Sequence, residues 1–254
     1  MGFRNRKGLV AALLLGMSTA LPLPAAALDD AQKQEFGALI REYLLANPEL
    51  IEEMSQALEI KKEAESRVMA QAAISENREA IFNAPEDIVL GNPEGDVTVV
   101  EFYDYNCGFC KRAMNDMVAM LDKDPNIRFV LKEFPILGPD SLAAHRVAMS
   151  FRTLAPEKYG DFHIELLSSD VRATEAHAIE VAKSFGVDEE ALKQGMSDPA
   201  IDQSIRQTYE LANALGISGT PSFVIGDEAV FGAVGEDALL AKIANMRQCE
   251  STVC

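Results

Sequence analysis

A strongly β-prone run, Val97 to Tyr103, leads through Asp104-Tyr105-Asn106 into Cys107-Gly108-Phe109-Cys110 and a helical pattern that ends near Pro125. No other feature narrows the fold as much. A second β-prone run, "IRFVLKEF", follows and is closed by Pro135. Strand, helix and strand with short links predict two parallel strands joined by a right-handed crossover. The cysteine pair then falls at the exit of a strand and in or beside the first turn of a helix.

That placement decides between three chemistries. A structural zinc site wants four ligands, usually two cysteine clips or a clip with histidines. Here the other cysteines are Cys249 and Cys254, and no histidine lies within clip spacing of either pair. A structural staple is a poor use of so short a loop, because little denatured-state entropy is removed. Thiol–disulfide exchange fits best. A helix N-terminus offers unpaired N–H groups and a partial positive charge, and both stabilise a thiolate. Thiols of this kind ionise at pKa ~3.5–7.5, against ~8.5 for free cysteine. Cys107 is the expected nucleophile. Cys110, one turn further in, is the sheltered thiol that resolves a mixed disulfide. Gly108-Phe109 places no proton donor or positive charge between them, so an intermediate to oxidising couple is expected.

Two further features join the pair. Glu101 sits in the otherwise apolar first strand. A parallel strand is usually covered on both faces, so this carboxyl is expected to be buried, with a raised pKa, and able to accept the Cys110 proton. A satisfied structural acid is the alternative. Thr220-Pro221 precedes the strand "SFVIG", where a cis proline could leave the Thr220 backbone free for an extended peptide. An ordinary trans proline at a strand start is the alternative.

The remaining chain is mostly helical. Residues 139–216 read as helices broken by proline, glycine and Asp/Ser caps. "SFVIGDEAVFG" then returns to strands about a Gly226-Asp227 turn, and "EDALLAKIANMRQ" closes the chain as a helix. His145, His163 and His177 lie on helical stretches and read as ordinary surface or core histidines. Cys249 and Cys254 are expected to form a second disulfide that ties down the C-terminus. Free thiols on a frayed tail, or a second redox relay, remain alternatives.

Leu28 to about Phe82 reads as helix. Phe36, Leu39, Ile40, Tyr43 and Leu44 recur at helical spacing. Asn47 stops that helix, and a second is expected to start at Pro48. Its middle, "EIKKEAESR", is charged on nearly every side, so the segment reads as a stalk with apolar patches at its ends. Those patches would either pack on the chain's own domain or join copies together.

Ahead of this lies a basic start, an apolar run, and small residues at Ala25 and Ala27. The pattern predicts a secretory signal peptide, residues 1–27. Export places the protein in an oxidising compartment, and the character of the signal points to the periplasm. Losing the three basic residues of that segment would take the formal net charge from −17 to −20. So acidic a chain is a poor match for nucleic acid or anionic membranes.

"FYDYNCGFCK" followed, after a helical stretch, by "GISGTPSFVIG" resembles the DsbA-like branch of the thioredoxin superfamily. The resemblance implies an α/β thioredoxin fold, residues 85–138 and 217–254, with a helical domain, 139–216, inserted after the second strand of the βαβ unit. It implies Cys107 as nucleophile, Cys110 as resolving thiol, Glu101 as buried acid and Pro221 as the cis proline, preceded by Thr220. The N-terminal helical segment, 28–84, is similar to that of suppressor-of-copper-sensitivity C proteins and related trimeric DsbA-like proteins, which implies a homo-oligomer, three copies among the options. The implied partners are protein thiols and disulfides and a membrane protein that resets the pair, with no cofactor. Gly108-Phe109 departs from the Pro-His dipeptide of the strongest oxidants in that family. Isomerisation is the expected activity if the chain is oligomeric. A monomeric dithiol oxidase and a copper(I)-binding thiol protein are the alternatives, and a purely structural adaptor is the third.

Overall fold

The computed structural model describes residues 29–254; the expected signal peptide lies outside them. The chain divides into two compact units, one ending at Leu58 and one spanning Glu59–Cys254. Among the described residues no helix is long and apolar enough to cross a membrane.

The first unit is built on α1 (Asp30–Ala46) and the start of α2 (Leu50–Glu76). Asp29 caps α1, accepting from the Gln32 amide, while the Gln32 side chain accepts from the Asp29 amide. Asn47 ends the helix. Pro48 then lies in the turn, and α2 begins two residues later than the proline predicts. No residue of α1 is buried, and Phe36, Leu39, Ile40 and Tyr43 are exposed.

The second unit holds a five-stranded sheet in the order β1 (Ile88–Gly91), β3 (Ile127–Glu133), β2 (Val97–Tyr103), β4 (Ser222–Ile225), β5 (Glu228–Phe231). β2 and β3 run parallel, as their helical crossover α4 (Gly108–Lys123) requires; the other neighbours are antiparallel. Alternation along β2 sorts its side chains onto two faces. Val97, Val99 and Tyr103 join Met117 and Met120 of α4 and Leu239 and Ile243 of α10 (Glu236–Cys249) in the larger core. Val100 and Phe102 join a second core with Ile74 of α2, and Ile81 and Phe82 of the short helix α3 (Arg78–Phe82). The end of the N-terminal helical stretch thus packs beneath the sheet.

Between β3 and β4 lie α5 (Pro139–Leu154), α6 (Tyr159–Ser168), α7 (Glu175–Ser184), α8 (Glu189–Gly195) and α9 (Pro199–Ala214). Phe151 of α5 and Phe162 of α6 stack with ring centroids 4.2 Å apart in the larger core. α9 starts cleanly, with Asp198 accepting from the Ala200 amide and Pro199 in the first turn. Its Leu211 and Ala212 belong to the second core, so it bridges the other helices and the sheet. At the β4–β5 turn, Gly226 has φ +55°, and a Cβ there would collide with Met246 of α10.

Candidate active site

The turn between β2 and α4 is organised by one buried carboxylate. Asp104 accepts from the Asn106 amide (2.8 Å), the Ser141 hydroxyl (2.8 Å) and the Leu137 amide (2.9 Å). Its carbonyl accepts from the Cys107 amide at 3.0 Å. Cys107 is thereby set as the N-cap of α4 in extended conformation, and the first turn of that helix contains no acidic residue.

Cys107 and Cys110 are both free thiols and both buried. The Cys110 thiol, aimed at Cys107, is the main stabiliser of the Cys107 thiolate. Burial opposes it, and the Thr220 side chain and the amides of Cys110 and Phe109 assist, so the Cys107 pKa falls from 9.0 to about 5. Burial pushes the Cys110 thiol far above its ordinary value, and its bond to Cys107 pushes the same way. One thiol is ionised at neutral pH and the other keeps its proton.

Absorbance at 240 nm of the reduced protein should therefore titrate with a midpoint near pH 5, lost in Cys107→Ala and moved upward in Cys110→Ala. A folded-state pKa below the unfolded one stabilises the reduced fold. That contribution is complete above the unfolded thiol's pKa, near 9, and disappears as pH falls through about 5.

Glu101 lies on β2 on the same face as Val99 and Tyr103. It is 2% exposed, and its Oε1 has no hydrogen-bond partner among the described residues. Burial raises its pKa to about 8, helped by the charges of Cys107 and Asp116. The carboxyl is mostly protonated at pH 7 yet can exchange a proton near neutrality.

Thr220-Pro221 is a cis peptide. β4 follows it and pairs with β2 in a register that sets Ser222 opposite Phe102, which brings Thr220 to the start of α4. The neutral Cys107 thiol donates to the Thr220 carbonyl at 3.2 Å. Cys107, Cys110, Glu101, Thr220 and Pro221, 120 residues apart at the extremes, thus meet at one end of the sheet. Cys249 and Cys254 do not join them. They form a disulfide that ties the last residue of α10 to the C-terminus, where Asp227 of the β4–β5 turn accepts from the Thr252 amide and the Ser251 hydroxyl.

Three features of the site escaped the sequence reading. Arg112 lies over the Phe109 ring, 4.5 Å from its centroid, so a cation does sit beside the Gly108-Phe109 dipeptide. Asn106 bonds to Ala173 and Ser141. A polar knot also lies behind the turn. Glu133 of β3 accepts from His145 Nδ1 and from the Tyr159 hydroxyl (2.9 Å), while His145 Nε2 accepts from the Tyr105 amide (3.3 Å). The hydroxyls of Tyr103, Tyr105 and Tyr159 bond to one another, and Tyr105 reaches His163. Burial drops the His163 pKa to about 4, so that ring is neutral. His145 and His163, read as ordinary surface or core histidines, are core residues that brace the active-site turn. Tyr103 and Tyr105, two residues apart at the end of a buried strand, were the available signal. Among the described residues no cluster of three or more His, Cys, Asp or Glu is placed to hold a metal ion.

Comparison with known proteins gives matches along most of the chain. The family model of the DSBA-like thioredoxin domain matches residues 98–244, and that of the copper resistance protein ScsC N-terminal domain matches residues 32–65. A thioredoxin-like oxidoreductase from Silicibacter pomeroyi is 43% identical, covering 68% of this chain and 99% of its own, with a TM-score of 0.65. A linker-deletion variant of Proteus mirabilis ScsC is 27% identical over 88% of this chain and 99% of its own, TM-score 0.65. Among curated relatives, Na(+)/H(+) antiporter NhaA 3 of Salinispora tropica is 24% identical over 157 residues, covering 62% of this chain and 24% of its own. The chain spans about a quarter of that relative's length.

Proposed function

The chain belongs to the DSBA-like thioredoxin domain family, and from that premise we propose that it is an exported thiol–disulfide oxidoreductase acting on protein substrates through Cys107 and Cys110. The observation that carries this is the placement of Cys107 at the start of α4, beside the cis Thr220-Pro221 peptide, with Cys110 buried one turn behind it.

The Cys107 thiolate attacks one sulfur of a client disulfide, and the client's other sulfur leaves as a thiolate. A mixed disulfide remains. If a client thiolate attacks it, the client's bonds are rearranged with no net electron transfer. If Cys110 passes its proton to ionised Glu101 and attacks Cys107, two electrons go to the client and the pair becomes a disulfide. The reverse sequence oxidises a client. A membrane protein that resets the pair completes the cycle.

We assign oligomerisation to the exposed part of the N-terminal helical segment, 28–84, whose last residues Ile74, Ile81 and Phe82 pack on the sheet instead; residues 85–138 and 217–254 are then the thioredoxin-fold domain and 139–216 its helical insert. The exposed apolar side chains of α1 support this, as does the match of residues 32–65 to the ScsC N-terminal domain. Several active sites on one particle would hold a misfolded client at high effective concentration, which favours isomerisation. Light scattering of the protein from Leu28 onward should give a multiple of the chain mass, three copies among the options. Leu39→Lys with Ile40→Lys should give a monomer that reactivates scrambled ribonuclease poorly but still reduces insulin. A wild-type monomer would instead make the chain a dithiol oxidase. Export is checked by N-terminal sequencing of the secreted protein, expected to begin at Leu28.

A further inference from the structure

We propose that Asn106 is a positioning residue for client recognition: its carboxamide fixes the Ser169–Thr174 loop against the active-site turn, and the apolar tip of that loop receives the client segment that delivers a sulfur to Cys107. The proposal rests on the oxidoreductase function above and names the part of the chain that selects clients.

Asn106 immediately precedes the nucleophile. Its Oδ1 accepts from the Ala173 amide at 2.8 Å, and its Nδ2 donates to the Ala173 carbonyl at 2.9 Å and to the Ser141 hydroxyl at 3.0 Å. The carboxamide therefore pairs with Ala173 in both directions, as a neighbouring strand would. Ser141 passes the connection on to Asp104. A second tether comes from the first turn of α4, where Lys111 Nζ donates to the Ser169 carbonyl. Arg172 adds a third through Asp140 at the start of α5 (2.7 Å).

Held at Ser169, Arg172 and Ala173, the loop turns Val171 outward, 59% exposed. Leu137, whose amide is held by Asp104, is 43% exposed, and Phe109, between the two cysteines, is 57% exposed. A single exposed apolar residue needs no explanation. These three differ because each is carried by, or tethered to, the segment Asp104–Lys111 that carries the thiol. They are thus exposed apolar side chains on segments bonded directly to the one that carries the thiol, on a chain whose net charge is −17. The matching occupant is an unfolded protein segment with apolar residues beside its cysteine. A small hydrophilic thiol would gain little from the same surface.

The geometry couples Asn106 to Val171: without the carboxamide the loop keeps its tethers at Ser169 and Arg172 but loses the one at Ala173, and Val171 is held less firmly when a client binds. The test uses the full chain from Leu28, oxidised, with reduced unfolded ribonuclease as client and glutathione as small thiol. Asn106→Ala should raise KM for ribonuclease about three- to tenfold, the size expected for reordering a few side chains on binding, with kcat nearly constant. The effect on glutathione exchange should be small by comparison, and the Cys107 titration midpoint should stay in place. Val171→Ser, an exposed change that leaves the fold intact, should raise KM similarly. The double variant should be no worse than the worse single, because the two share one interaction. An unchanged KM in Val171→Ser, multiplied effects in the double variant, or an equal loss with glutathione in Asn106→Ala would overturn the proposal. A wild type inert toward both thiols would instead remove the underlying function.

Discussion

Replacing Cys110 with alanine should yield a protein that still attacks disulfides and then stays bonded to them. Cys107 keeps its place at the start of α4, beside Thr220. What disappears is the second sulfur, held wholly buried one turn away. Oriented intramolecular groups reach effective concentrations of ~10⁵–10⁸ M, so an external thiol at millimolar level is a poor substitute. Mixed disulfides should accumulate and run as client-sized adducts on non-reducing gels. Turnover in insulin reduction should fall to near background. The variant's Cys107 should also ionise at higher pH, because Cys110 is the first contributor to its low pKa. A Cys110→Ala protein that turned over insulin at the wild-type rate would remove Cys110 from the mechanism.

The second large effect is on stability. Glu133→Ala should destabilise the fold by about 2–5 kcal/mol, because it leaves two buried donors, on His145 and Tyr159, without an acceptor, at about 1–3 kcal/mol each. Glu133 is 4% exposed, and it satisfies both His145 and Tyr159. Burial alone would raise its pKa, but His145 and Arg152 outweigh burial and the net shift is downward. A carboxylate whose folded pKa lies below the unfolded one stabilises the fold above the unfolded value. That stability is lost as pH falls through the folded value. The gap between wild type and Glu133→Ala in urea unfolding should therefore be widest near neutrality and shrink in acid. Native domains hold only ~5–15 kcal/mol in total, so the variant should show a much lower urea midpoint. Glu133→Gln keeps the shape and should cost less. A midpoint equal to wild type in Glu133→Ala would mean the knot holds nothing together.

The parts of the molecule visible in the sequence are those written in local pattern. The βαβ unit around Cys107 follows from two β-prone runs and a helix between them, and the Gly226-Asp227 turn follows from two adjacent residues. The location of Thr220-Pro221 before a strand was readable; its approach to Cys107 needed the β2–β4 register, which no local pattern records. Glu101 was readable as a carboxyl inside an apolar strand. The polar knot was not, because His145, Tyr159 and His163 lie 40 to 58 residues from Tyr105, and each sits in a helix that looks amphipathic by itself. Asn106 carries no signal in the sequence, because its partner Ala173 lies 67 positions away. The end of the N-terminal helical stretch was ambiguous for a related reason. Its apolar stripe suits a partner chain or its own sheet equally well, and only tertiary packing places Ile74, Ile81 and Phe82 beneath β2.

Glu101 gives the sheet a further property. Its carboxyl feels the charge of Cys107 across the core, and such coupling is reciprocal. When the pair closes to a disulfide that charge vanishes, and the carboxyl releases its proton more readily. Electrons arriving at the sulfurs draw hydrogen ions into the middle strand, and electrons leaving let them go. The acidity of the surroundings thus biases which way disulfides flow, through Glu101 as well as through the proton that Cys110 takes up when the pair is reduced.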